Sequence, residues 1–155
     1  MRLRVLTARN SSMIAALVLA AHTASAQAPA AAPPPPRHFN GDAGLILIYV
    51  QPEKVAQFEE AMQKIKDGLQ KSEKPERKEQ AASWRVYKSD TPSANGNVTY
   101  VMIIDPAIKG ADYNVVNILN EAFPAEIQAL FKQYTEAFAS GLIPINLLPV
   151  VDYSK

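Results

Sequence analysis

Two segments of this 155-residue chain are apolar at almost every position, residues 45–50 (LILIYV) and 98–104 (VTYVMII). Both are short, β-branched and aromatic-rich, which suits strands better than helices. Successive side chains of a strand point to opposite faces. In the first segment Leu45, Leu47 and Tyr49 therefore oppose Ile46, Ile48 and Val50; in the second, Tyr100, Met102 and Ile104 oppose Val101 and Ile103. A sheet with one wet face alternates apolar with polar residues, whereas strands apolar on both sides are normally covered on both sides. Whatever fold the chain adopts has to supply cover for two sheet faces.

The rest of the chain supplies two helical stretches. After Pro52, a residue suited to a first helical turn, Val55, Phe58, Met62, Ile65 and Leu69 recur at spacings of three and four and form one apolar stripe. Residues 71–79 (KSEKPERKE) are charged, interrupted by Pro75 and without periodicity, and read as an exposed loop. Residues 84–87 (WRVY) are strand formers, joined to 98–104 through a loop carrying Pro92 and Asn95-Gly96. Asp112 or Asn114 can cap a helix over 115–122, Phe123-Pro124 breaks it, and Ile127, Leu130, Phe131, Tyr134 and Phe138 make a second stripe that stops at Ser140-Gly141. Residues 142–151, punctuated by Pro144 and Pro149, read as an edge or wrapping strand.

The expected order is strand, helix, strand, strand, helix, strand: an α+β, ferredoxin-like βαββαβ arrangement with an antiparallel sheet. Right-handed crossovers put both main helices on one face. The other face keeps its large apolar side chains, and a second copy of the same sheet is the expected cover, because each buried side chain of this kind contributes about 1.5–3 kcal/mol before association entropy is subtracted. In this element order and these two-sided strands the chain, from about Gly44 to Tyr153, resembles the dimeric α/β-barrel superfamily. That resemblance implies two ferredoxin-like protomers packed sheet against sheet around a cavity. The superfamily's members include cofactor-independent monooxygenases, haem-handling enzymes, isomerases and ligand-binding proteins; no family's catalytic set maps onto this chain residue by residue.

Ahead of the domain lie Arg2, Arg4 and Arg9, an apolar run from Met13 to Ala21, and Ala24-Ser25-Ala26, the order of an export signal cleaved after residue 26. The apolar run is about half the length a spanning helix needs, so no stable membrane anchor is expected after cleavage. A periplasmic or secreted bacterial protein follows as the expectation. Residues 27–43, alanine- and proline-rich, are expected to form an extended, unpacked tether before a single domain at 44–155. Without the signal's three arginines the chain carries 13 basic against 15 acidic residues, about −2, and this gives no electrostatic reason to bind nucleic acid. Cysteine is absent, so neither disulfides nor thiol chemistry contribute.

Chemistry-bearing constellations are scarce. His22 leaves with the signal, and His38 stands alone at the end of the tether. A histidine-based triad, a zinc site and a glycine-rich phosphate loop all lack their residues, and no cofactor or metal is expected. What remains is a set of sheet side chains with aromatic bodies or polar tips: Tyr49, Trp84, Arg85, Tyr87, Tyr100, and Asn146 from the last strand. Those that face the inner side of the sheet can bind a planar apolar molecule and orient it by hydrogen bonds; otherwise the aromatics are core or interface residues. Arg85 discriminates, because an arginine on an apolar sheet face requires an anionic partner. The reading is an exported homodimer that binds a small apolar or aromatic molecule; the alternative is a cofactor-independent monooxygenase- or isomerase-like enzyme in which Arg85, Tyr87, Trp84 or Asn146 polarises the substrate.

Overall fold

The computed structural model describes residues 34–153. The expected signal at 1–26 and the first part of the tether lie outside them. The architecture is α+β: an open, antiparallel four-stranded sheet and four helices, compatible with a ferredoxin-like fold. Strand β1 (Ala43–Val50) leads through a short 3-10 turn at Pro52–Lys54 into α1 (Val55–Lys71). Next come α2 (Pro75–Ser83), β2 (Trp84–Lys88) and β3 (Val98–Ile104). The chain closes with α3 (Val115–Ala122), α4 (Ile127–Glu136) and β4 (Ile143–Leu147). Across the sheet the strands run β2-β3-β1-β4, every neighbouring pair antiparallel.

The apolar stripe of α1 buries Phe58, Ala61, Ile65 and Leu69 against the sheet, and α3 and α4 add Ile118, Leu119, Leu130 and Tyr134. All of them meet one sheet face, that of Ile46, Ile48, Val50, Tyr100, Met102 and Ile104. Asn114 is the cap of α3, accepting a hydrogen bond from Val116 N at 3.0 Å, and the chain breaks between α3 and α4 at Phe123-Pro124 as the sequence indicates.

Two expectations are corrected. The charged segment at 71–79 is not an exposed loop throughout. Pro75 opens α2 at a position where its missing N–H costs nothing. Arg77, only 6% exposed, spends its charge on Glu121 at 3.1 Å and on the Asp112 carbonyl at 2.7 Å, while Gln80 reaches the same carbonyl at 3.1 Å. A run of charge hid a buried ion pair because periodicity counts apolar residues and cannot register an arginine whose partner is 44 residues away.

The second correction concerns the described part of the expected tether, from residue 34 on. Residues 34–41 dock on the domain instead of hanging from it. The Pro34 and Pro35 carbonyls accept from Asn117 and Asn114 Nδ2, Arg37 N donates to Asp112 Oδ1 at 2.7 Å, and Tyr113 N donates to Arg37 O at 2.7 Å. His38 Nδ1 donates to the Ala111 carbonyl at 3.0 Å, so this histidine is tied down rather than free in a linker. Phe39, 1% exposed, lays its ring in the slot left by Gly44, where a Cβ would stand 2.5 Å from that ring. Its edge meets Tyr113 at 5.4 Å. Polyproline backbone has no internal hydrogen bonds, and here its free carbonyls are satisfied by asparagine side chains at the start of α3.

Titratable groups on the packed face set the pH range over which the fold is stable. Hydrogen bonds from Tyr100 (2.6 Å) and Lys88 (3.0 Å) hold the Glu59 carboxyl below the usual carboxylate range. At Glu121 burial pushes upward, but hydrogen bonds from Lys74 and Arg77 outweigh it and hold the carboxyl low. Burial, the largest effect in each case, pushes the Tyr100 and Tyr134 hydroxyls above the ordinary tyrosine value. The two carboxylates therefore stabilise the fold fully above about pH 4.3, and that contribution is lost as pH falls through their lowered values. The two tyrosines contribute fully below about pH 10, and their contribution is lost as pH rises toward their raised values. The urea midpoint should be flat between these limits and fall on both sides. The double substitution Glu59→Gln and Glu121→Gln should flatten the acid limb; Tyr100→Phe with Tyr134→Phe should shrink the alkaline limb, leaving the part carried by Tyr113, whose hydroxyl is also pushed up by burial.

Candidate functional site: the open sheet face

Directly opposed residues in a sheet share a face, so the register assigns every strand residue to one side. Tyr87, Val101, Leu47 and Ile143 form one row across the four strands, and Arg85, Ile103, Leu45 and Ile145 form the next. Tyr49 pairs with Thr99, and Ala43 with Leu147. This face bears no helix. Its residues alternate with the buried ones along β1 and β3, and none of them belongs to the core cluster. Tyr87, Ile143 and Ile145 are 51%, 45% and 38% exposed. Leu47 and Val101 lie half-buried on the two central strands. The two-sided apolar pattern of the sequence is thus a physical surface, with one side packed and one side open.

Of the six sequence-derived candidates, three lie on this surface: Tyr49, Arg85 and Tyr87. Arg85 is exposed, and its side chain makes neither an ion pair nor a hydrogen bond among the described residues. The other three lie on the helix side and serve the fold. Tyr100 donates to Glu59 at 2.6 Å, and its ring packs on Phe58 with 4.5 Å between centroids. Asn146 Oδ1 accepts from Asn40 N at 2.8 Å and Gly41 N at 3.3 Å, holding the docked N-terminal segment to β4. Trp84 stacks edge-on to Tyr113 at 5.5 Å and borders a groove of about 160 Å³ with Met62, Ile65, Leu69 and Val86; its buried Nε1–H lacks an acceptor. The four residues assigned to polarise a common substrate are therefore split between two faces, Arg85 and Tyr87 on one, Trp84 and Asn146 on the other.

The site residues that the candidate set omitted are aliphatic: Leu45, Leu47, Val101, Ile103, Ile143 and Ile145. Their signal was present as alternation within an all-apolar run, but a search for polar chemistry passes over them. The tail beyond β4 continues in the same character, with Leu148, Val150, Val151 and Tyr153 exposed at 73%, 97%, 61% and 93%. Among the described residues no group of three or more histidine, cysteine or acidic side chains could hold a metal ion, and no helix is long and apolar enough to cross a membrane. No protein-family model, curated protein or solved structure matches the chain.

Proposed function

We propose that this protein works outside the cytoplasm as a homodimer whose two sheets face each other and hold a small apolar or aromatic molecule between them. The observation that carries the reading is the uncovered face of Leu45, Leu47, Val101, Ile103, Ile143 and Ile145, two residues deep on each of the central strands. With their fractional exposures and full side-chain areas of roughly 150–250 Å², these face residues leave roughly 300 Å² of apolar surface to solvent, and the tail from Leu148 to Tyr153 brings the total to on the order of 1,000 Å². The largest apolar patch on an ordinary monomer is about 300–600 Å². A standard interface buries about 800 Å² per partner. A second copy matches this surface in both size and chemistry, and two copies of one sheet meet through a self-complementary, two-fold contact.

The relief of the face favours an enclosed molecule. Tyr49 stands tall beside the smaller Thr99, with Tyr87 at the end of the next row, so facing copies leave gaps that aromatic bodies border. The Arg-rich leader and the Ala24-Ser25-Ala26 site support export. The protein recovered after expression with its own leader should sediment as a dimer at micromolar concentration. Native mass spectrometry should show a small molecule that dissociates together with the dimer. A stable monomer carrying no small molecule would overturn the reading.

A further inference from the structure

We infer that Arg85 anchors an acid, so that the molecule held between the sheets is an apolar body with an anionic head, such as an aromatic or aliphatic carboxylate. The inference rests on the face-to-face dimer proposed above. Arg85 lies in the row Arg85, Ile103, Leu45, Ile145, with Tyr87 two residues along the same strand and face. No acidic side chain lies on this face in any of the four strands. From its strands, a second copy laid on this face brings aliphatic residues and another Arg85 but no counter-charge, because a two-fold contact presents the same surface twice.

Guanidinium keeps its charge at any physiological pH, so it cannot escape a dry interface by losing a proton. A buried charge of this kind persists only when paired and hydrogen-bonded. The guanidinium fork fits a carboxylate through two parallel N–H···O bonds, and the neighbouring aliphatic row accepts the body of the same molecule. Arg77, buried on the helix side, is employed in a different way, with both terminal nitrogens hydrogen-bonded. Arg77 has Glu121 at 3.1 Å, Gln80 at 2.8 Å and a backbone carbonyl at 2.7 Å, which shows what an arginine of this protein collects when the chain itself supplies its partners. Arg85 has no such set.

Two dyes of the same skeleton separate the charge from the apolar body: 1-anilinonaphthalene-8-sulfonate, which carries the anion, and N-phenyl-1-naphthylamine, which lacks it. The dimer should bind the sulfonate more tightly than the neutral dye, by roughly tenfold to a hundredfold, the range of a charge-assisted pair shielded from water. Arg85→Gln should abolish that preference while leaving the affinity for the neutral dye within about twofold, and Arg85→Lys should restore part of it as a point charge. Sedimentation velocity on the same samples reports the dimer separately. A wild-type dimer that binds both dyes equally, that binds neither, or that keeps its preference after Arg85→Gln would overturn the anchor while leaving the dimer standing. A monomer would overturn the dimer on which the anchor rests.

Discussion

Phe39→Ala is expected to lower the stability of this protein by about 3–5 kcal/mol, the cost of deleting a fully buried aromatic side chain. The ring is sealed between the Gly44 slot on β1 and the edge of Tyr113. Gly44 has no side chain to fall into the hole, and Tyr113 is held by its own hydroxyl, which accepts from Ile108 N at 2.9 Å. The site therefore cannot collapse, which places the loss toward the upper end of that range. The docked segment should loosen with it, because the residues on either side are fixed by hydrogen bonds to Asp112, Ala111 and Asn146 that depend on the ring's position. Urea denaturation gives the free-energy loss, and faster amide exchange at Tyr113, whose N–H donates to Arg37 O, gives the release of the segment. Phe39→Leu, which refills most of the volume, should recover about half of the loss. An alanine variant as stable as the parent would mean that residues 34–41 are a leader with no part in the core.

That segment marks where the sequence was readable and where it was not. Strand and helix positions were legible because they repeat: the stripe of Val55, Phe58, Met62, Ile65 and Leu69 became α1, and the all-apolar runs became β1 and β3. The docked segment has no period. Its carbonyls are held by Asn114 and Asn117, about 80 residues away, and a proline run looks the same whether its carbonyls meet water or asparagine. Phe39 was the available signal, a large aromatic following four prolines, arginine and histidine too closely to be spacer. Arg77 escaped for the same reason, since its partners Glu121 and Asp112 come from the connection between β3 and β4, 35 to 44 residues away. At the site, the sequence could say that both faces of β1 and β3 are apolar. It could not say which face carries Arg85 rather than Trp84, because β2 alternates within only five residues and its register against β3 is a tertiary fact.

Leu47→Glu is expected to convert the proposed dimer to a folded monomer. Leu47 sits on a central strand of the open face, between Val101 and Ile143, so any contact that covers the sheet covers this position. Burying an unpaired carboxylate there costs about 3 kcal/mol or more, and two-fold symmetry places two such groups in one interface. The two together raise the dissociation constant roughly 10⁴-fold, since each 1.4 kcal/mol is a factor of ten. Inside the protomer the same side chain points away from Ile46 and Ile48, which hold the helix layer, so the free monomer keeps its core. Sedimentation equilibrium should show the shift, with far-ultraviolet circular dichroism unchanged. Because the proposed ligand pocket lies between the two sheets, the small molecule proposed to co-purify should vanish with the dimer. Glu73→Gln, on the loop between α1 and α2, changes charge by the same amount away from the sheet and should leave both unaffected. A Leu47→Glu protein that remains dimeric would show that the open face is covered by something other than its own copy, and the tail from Leu148 to Tyr153 would then be the segment to delete next.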